Sequence, residues 1–201
     1  NDHNDLLPPN NSVYDISTGK PIPGLDLSQT WCPGNARADT TTDNIKKGYL
    51  FSYNRSTEIY RCPADRAPVI TLDGQVLDQR RTRSYNMSQS INGLGGPSVG
   101  ISHIPSYQRY SLIRNPPPSR LFVFIDVHEE GILDALFGIP PRGSWWDGMW
   151  FDLPANRHNG GANLSFADGH AEYWKWRVPK NFRKLGQSVL PDEYPDYRRV
   201  Q

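Results

Sequence analysis

Residues 156–176 place the strongest constraint on the fold, because they have the pattern of a β-hairpin. Asp168-Gly169 is typical of a two-residue turn with positive φ at both positions, which suits the twist of antiparallel strands. In that register Leu164 faces Tyr173 across the hairpin, and Trp174 lies on the opposite face. Each face then carries large apolar side chains, so we predict that both faces contact other parts of the chain.

The remaining pattern favours an α+β fold with a mostly antiparallel sheet, short helices and long loops. The apolar run 120–127 predicts a central strand, and residues 69–77 predict a second hairpin that turns at Asp73-Gly74. Helix-like spacing predicts short helices after Asp43 and around residues 132–136. The 18 Pro and 17 Gly predict many turns, and residues 179–201 have the composition of a solvated surface tail. We expect one domain over residues 1–201.

Charge and hydropathy exclude several functions. Lys and Arg total 22 against 21 Asp and Glu, so no net field attracts nucleic acid, and we expect no nucleic-acid partner. No apolar run reaches the roughly 20 residues that span a bilayer. The glycines of residues 93–96 lack the lysine of a phosphate-binding loop and the spacing of a dinucleotide motif.

His158, nine intervening residues and then Asp168-Gly169 form a motif inside RHNGGANLSFADGH. This motif resembles the C-terminal signature of bacterial prepilin-like proteins, which are similar to type II secretion pseudopilins. The resemblance extends to the segments NDHNDLLPP, KKGYLFSYN, IYRCPADR and RSYNMS. Members of the family have a leader peptide, a long apolar N-terminal helix and a globular head on an antiparallel sheet. The resemblance therefore implies a pilin-like head, with the leader and the helix expected upstream of Asn1.

The resemblance also implies a function and a location. We expect a non-catalytic component of a secretion or surface-filament system, exported and anchored in the inner membrane by the upstream helix. That helix would contact other pseudopilins or secretion components, while loops such as residues 143–156 face a secreted protein or a polymer. An enzyme is not expected, because His158 with Ser144 or Ser165 lacks a nucleophile elbow.

Cys32 and Cys62 are the two cysteines, and neither has the spacing of a zinc motif. Because the resemblance implies export to an oxidising compartment, we expect a disulfide between them. Two unlinked buried thiols are the alternative.

A group of tryptophans suggests a second function. Flat rings on a rigid hairpin and its neighbouring loop can stack on sugar rings or on a partner surface. The alternative to a secretion role is therefore a membrane-anchored carbohydrate-binding module. A small satellite core is the other explanation for the same rings, which belong to Trp145, Trp146, Trp150, Trp174 and Trp176.

Two metal sites are conceivable. Asp126, His158, Asp168 and His170 offer mixed oxygen and nitrogen ligands if the central strand lies beside the hairpin. Structural roles in turns and loops are the competing explanation. Calcium is possible by resemblance to the pseudopilins, although the spacing does not match an EF-hand. Its candidate ligands are Asp147, Asp152, Asp126 and Asp168.

Overall fold

The computed structural model describes residues 3–11, 20–24, 30–93 and 106–201. Within these ranges the helices are short. The α-helical segments are α1 Asp43–Lys47, α2 Phe51–Asn54 and α4 Tyr194–Val200, and α3 Arg157–Gly160 is a single turn with left-handed backbone at His158 and Asn159. Single 3-10 turns cover Glu58–Tyr60, Tyr110–Leu112, Pro118–Arg120 and Pro191–Glu193. The helix predicted after Asp43 is confirmed as α1.

The strands of the described residues form three sheets, most of them antiparallel. They are β1 Pro68–Ile70, β2 Val76–Arg80, β3 Tyr85–Ser88, β4 Phe122–Asp126, β5 Leu136–Phe137, β6 Met149–Trp150, β7 Gly161–Phe166, β8 Ala171–Lys175 and β9 Gln187–Ser188. The main sheet has the order β5-β3-β4-β7-β8, while β1 pairs with β2 and β6 pairs with β9. The apolar run 120–127 therefore supplies the central strand, as predicted, and the fold is α+β.

The two faces of β4 contact different cores, and a bulge decides which side chain lies on which face. Phe122 pairs with Phe166, but Phe124 pairs with Ser165, so β4 has one extra residue at Val123. Ile125 then belongs to one apolar cluster, while Phe124 packs against the other. Asp126 shares the face of Phe124 because side chains alternate along a strand.

The hairpin of β7 and β8 has a longer turn than predicted. The Phe166 N–H donates to the His170 carbonyl at 2.9 Å, and the Gly169 N–H donates to the Phe166 carbonyl at 2.9 Å. Three residues thus form the loop, with Gly169 at φ +94°. Leu164 consequently pairs with Glu172, one residue away from the predicted register. This slip moves Trp174 onto the buried face with Leu164.

Residues 132–136 were predicted as a helix, and this prediction is wrong. Leu136 and Phe137 form β5, which pairs in parallel with β3 at the sheet edge. The buried Asn86 side chain donates to the Leu136 carbonyl at 2.8 Å. A side-chain hydrogen bond from β3 therefore helps to hold this segment extended, which the spacing of its apolar residues did not reveal.

The predicted solvated tail is wrong in part, because residues 179–201 combine exposed positions with buried side chains. The Lys180 ammonium contacts the Asp196 carboxylate at 2.7 Å, and both side chains are almost fully buried. Tyr197 and Val200 of α4 belong to the same core as Ile125. The charges of Lys180 and Asp196 are therefore compensated inside the fold, whereas Arg183, Lys184 and Asp192 are exposed.

Candidate functional site

His158 lies in a left-handed turn directly before β7. Its φ is +58°, and Asn159 has the same φ. A left-handed conformation costs an L residue about 1–2 kcal/mol, although His and Asn adopt it more readily than most. The Tyr173 hydroxyl donates to the His158 carbonyl at 2.8 Å and stabilises the turn from β8. The strained backbone fixes the direction of the His158 ring.

The His158 ring contacts two buried groups from distant parts of the chain. Its Nε2 lies 3.2 Å from Cys62 Sγ and 3.1 Å from Asp126 Oδ2. Cys62 is 1% exposed and Asp126 is 0% exposed. Within the part of the chain that the structure describes, this is the one group of three His, Cys, Asp or Glu ligand atoms that all lie within 4.8 Å of one another.

A guanidinium group holds Asp126 from the other side. Arg157 Nη2 donates to Asp126 Oδ1 at 2.8 Å and to the Val127 carbonyl at 3.0 Å. Its Nη1 lies 3.2 Å from Glu129 and 3.5 Å from Asp65. Burial alone would lower the pKa of Arg157, but the Asp126 and Asp65 carboxylates outweigh it and raise that pKa. Asp126 therefore keeps Oδ1 on the arginine and directs Oδ2 towards His158.

The Cys62 backbone is fixed by the same network. Its N–H donates to Ser84 Oγ at 3.1 Å, and the Ser84 hydroxyl donates to Asp65 at 2.6 Å. Ser84 precedes β3, so the thiol is positioned by the strand next to β4. The site therefore joins the Cys62 segment, the end of the central strand and the turn before β7.

Tyr85 borders the site on β3, where it pairs with Asp126. Burial, followed by the nearby Asp126 carboxylate and the Cys62 thiol, raises the pKa of Tyr85 well above its usual value. Its phenol therefore stays protonated. Tyr85 also lines a mainly apolar cavity of about 330 Å³, together with Trp31, Tyr60 and Phe124.

The contacts do not form a nucleophilic relay. In a cysteine–histidine–aspartate relay one ring nitrogen contacts sulfur and the other contacts the carboxylate. Here the same Nε2 of His158 contacts both Cys62 and Asp126. Ser144 and Ser165, the serines considered from the sequence, are not among these ring contacts. The convergence of three ligand atoms on one point is instead typical of a metal site.

The four residues predicted for a mixed metal site separate into two groups. Asp126 and His158 meet, whereas Asp168 pairs with His170 at the exposed tip of the hairpin, Oδ1 to Nδ1 at 2.5 Å. The Asp168 carboxylate raises the pKa of His170 through that hydrogen bond, and Glu172 adds to the effect. The sequence did not indicate Cys62 as the partner of His158, because Cys62 was expected to form a disulfide with Cys32.

The predicted disulfide is not present in this structure. Cys32 and Cys62 are both free and buried. Cys62 directs its sulfur to His158, while Cys32 packs in the cluster that contains Trp31 and Ile45. The alternative of two unlinked buried thiols is the arrangement found.

The tryptophans do not form one surface. Trp150, Trp174 and Trp176 are buried in the main core, as the satellite-core explanation allowed. Trp145 is 91% exposed and Trp146 is 40% exposed. Only these two rings of the predicted set are available to a ligand, and both lie on the turn before β6.

The carboxylates proposed for calcium are occupied by protein donors. Asp147 accepts hydrogen bonds from Arg198 at 2.7 Å and from the Gly143 N–H at 2.8 Å. Although desolvation opposes ionisation, these bonds hold the pKa of Asp147 well below its usual range. Asp152 accepts from the Gly138 N–H at 2.7 Å, and burial, followed by the charge of Asp134, raises its pKa. Asp126 and Asp168 lie in the separate groups described above, so these four carboxylates do not form one calcium shell.

Comparison with known proteins identifies no relative. No family model matches the chain, and no curated protein or solved structure matches it either. Among the described residues, none of the helices has the length and apolar character needed to cross a membrane. The resemblance to prepilin-like proteins therefore rests on the sequence motifs alone.

Proposed function

We propose that this chain is the non-catalytic head domain of a prepilin-like protein and that it presents a fixed recognition loop to a protein partner. The observation that carries the proposal is the 91% exposure of Trp145 on the turn of residues 143–147, hereafter the Trp145 loop. The solvent-exposed Trp145 ring lies beside the partly exposed Trp146, and together they offer a large apolar area to a partner.

The Trp145 loop is fixed before any partner arrives. Asp147 Oδ2 accepts from the Gly143 N–H, and Asp147 Oδ1 accepts from Arg198 on α4. The Ser144 N–H donates to the Pro141 carbonyl at 3.1 Å. A loop already ordered by such bonds loses little conformational entropy on binding, which favours its use as a recognition element.

The segments that carry the resemblance also meet in the fold. IYRCPADR contains Cys62, and the signature motif contains His158, whose ring lies 3.2 Å from the Cys62 sulfur. The nine-residue spacing of the motif covers β7 and its flanking turns, from the left-handed turn at His158 to the tight turn at Gly169. This agreement supports treating the motif as one structural unit, and the mostly antiparallel sheet is compatible with a pilin-like head.

Export and anchoring are part of the same proposal. An inner-membrane anchor requires a short basic leader and then roughly 20 apolar residues upstream of Asn1. That helix would contact other pseudopilins or secretion components, and the head would lie on the periplasmic or cell-surface side. The coding sequence upstream of Asn1 tests this part, because an ordinary cleaved signal without the apolar helix would contradict it.

Polysaccharide binding is the second candidate, and the exposed Trp145 ring is the observation that favours it. The burial of Trp150, Trp174 and Trp176 removes three of the five rings proposed for sugar stacking. A protein partner therefore takes precedence. Polysaccharide binding that is detected with the wild-type protein and lost in Trp145→Ala, at equal polymer concentration, would reverse that order.

Photo-cross-linking in the full-length protein tests the proposal directly. A photoreactive phenylalanine replaces Trp145, and the matched control carries it at Leu72, which is 77% exposed on the β1–β2 turn. We expect a discrete adduct with one secretion or filament component at position 145 and none at position 72. Equal adducts at both positions, or none at position 145 in cells that assemble the system, would contradict the proposal.

A binding measurement with the identified partner then gives the magnitude. Removal of a central interface tryptophan commonly costs about 2 kcal/mol or more, so Trp145→Ala should weaken binding about 30-fold. Leu72→Ala should leave the affinity unchanged within about twofold. A Trp145→Ala variant with wild-type affinity would show that the loop is not the contact surface.

A further inference from the structure

The side chains of Cys62, Asp126 and His158 converge from three segments that are far apart in sequence. Cys62 and His158 are 96 positions apart, and Asp126 and His158 are 32 apart. We propose that these three side chains form a transition-metal site and that zinc is the ion they suit best. Thiolate, imidazole and carboxylate are the three ligand types that zinc uses in proteins.

The distances fit a tetrahedral ion. Zinc bonds of about 2.3 Å to sulfur and about 2.0–2.1 Å to nitrogen or oxygen place neighbouring ligand atoms about 3.3–3.6 Å apart. The Cys62 sulfur lies 3.2 Å from His158 Nε2, and Asp126 Oδ2 lies 3.1 Å from the same nitrogen. These two distances are within a few tenths of an ångström of the tetrahedral values, and all three ligand atoms lie within 4.8 Å of one another.

One ring nitrogen, Nε2 of His158, faces both Asp126 and Cys62 in this arrangement. Asp126 accepts from Arg157 through Oδ1, and its Oδ2 faces the ring nitrogen of His158. If His158 Nε2 carries the proton, that one proton serves both Asp126 and Cys62. If Nε2 is unprotonated, it accepts from the Cys62 thiol, and its lone pair then faces the Asp126 oxygen. A metal ion replaces the proton and binds all three lone pairs at once.

The surrounding charges also favour a divalent cation. One guanidinium, that of Arg157, contacts the carboxylates of Asp126, Asp65 and Glu129. Asp126 is completely buried, where an incompletely compensated negative charge is costly. An ion bound to Asp126 Oδ2 and to the Cys62 thiolate supplies the additional positive charge.

The residues that surround the three ligands hold them in place, as is usual around a protein-bound metal. Arg157 holds the free oxygen of Asp126, and Ser84 holds the backbone of Cys62, so both ligands are oriented by further hydrogen bonds. The left-handed backbone at His158 directs Nε2 into the site at an energetic cost. Three protein ligands leave a fourth position for water.

Cobalt titration of the chelator-treated chain tests the site, because Co²⁺ replaces Zn²⁺ in such sites and reports thiolate ligation by its absorption. We expect one equivalent of Co²⁺ to produce a thiolate-to-cobalt charge-transfer band, and one equivalent of Zn²⁺ to abolish it. Zinc at a hundredfold excess over its Kd should raise the Tm by about 5–10 °C. Wild-type protein with neither the band nor the Tm shift would overturn the proposal.

Matched variants locate the ion. Cys62→Ser should lose the charge-transfer band and the zinc-dependent Tm shift, while Cys32→Ser, which changes the other buried thiol, should keep both. His158→Gln and Asp126→Asn should weaken Co²⁺ binding at least tenfold.

The exposed pair of His170 and Asp168 is the competing site, and His170→Ala should bind Co²⁺ as wild type does. Binding that survives in Cys62→Ser, or that is lost in His170→Ala, would overturn the assignment. If Cys62→Ser does not fold, the band in His158→Gln and in Cys32→Ser decides the same question: an unchanged band in His158→Gln would reject the site.

Discussion

Replacement of Lys180 by methionine is expected to destabilise the protein strongly, because Lys180 forms a buried ion pair in the C-terminal segment. Its Nζ contacts Asp196 Oδ2 at 2.7 Å and the Val178 carbonyl at 2.8 Å, and it lies 5.4 Å from the centre of the Trp176 ring. Loss of one partner of a buried pair costs about 3–5 kcal/mol, since the other charge remains without its counter-ion.

The lower end of that range applies to Lys180→Met. Asp196 keeps a bifurcated hydrogen bond from the Arg177 N–H, at 3.1 Å to Oδ1 and 2.9 Å to Oδ2, so its charge still has a donor. A loss of about 3 kcal/mol corresponds to a Tm decrease of about 6–12 °C in a domain of this size. Asp196→Asn should cost more, because the buried Lys180 ammonium then keeps hydrogen-bond acceptors but has no counter-charge.

Urea unfolding at neutral pH measures both variants, and the double variant measures their coupling. Lys180→Met combined with Asp196→Asn should lose less free energy than the sum of the single losses. Asp192→Asn, an exposed acid in the same segment, is the control and should change stability by no more than about 0.5 kcal/mol. A Lys180→Met loss below about 1 kcal/mol, with additive single losses, would refute the argument.

Three further predictions follow from turns, burial and ionisation. Gly169→Ala should lower the free energy of unfolding in urea by about 1–2 kcal/mol, and Gly169→Val should lower it more. A Cβ at this position would meet no neighbouring atom, so the loss comes from the backbone φ of +94°. His170→Ala should have a smaller effect. Trp150→Ala should cost about 3–5 kcal/mol, whereas Trp145→Ala should change the unfolding midpoint little, and equal losses would contradict the burial assignment. The native pKa of Asp152 is raised by burial and by a neighbouring carboxylate, so the native state holds this proton more tightly than the unfolded chain does. The stability that it contributes is present below the usual Asp pKa of about 3.9 and is lost as the pH rises through the native pKa. In Asp152→Asn the urea midpoint should therefore decrease less as the pH rises above about 3.9. A pH profile identical to that of the wild type would contradict the raised pKa of Asp152.

Short-range patterns predicted the scaffold of the fold. The apolar run of residues 120–127 indicated the central strand, and the Asp-Gly pairs at residues 73–74 and 168–169 indicated the two hairpins. The register was wrong because Asp-Gly suits both a two-residue loop and a three-residue loop with glycine in the left-handed region. That single residue decides whether Trp174 is buried or exposed.

The candidate site could be predicted only in part. Asp126 and His158 were considered together because the hairpin was expected beside the central strand, and they do meet. Cys62 was assigned to a disulfide, since no local spacing links it to a residue 96 positions away. The burial of Lys180 was missed for a similar reason, because its partner Asp196 is 16 positions away on α4.

Thiol counting tests the centre of this account most directly, because the site requires a free sulfur at Cys62. The protein is recovered from an oxidising compartment, denatured in the presence of a chelator and an alkylating reagent, and weighed as an intact chain. The structure predicts two alkylated cysteines, Cys32 and Cys62. A chain that takes up no reagent until it is reduced would contain the disulfide and would contradict both the geometry at His158 and the proposed metal site.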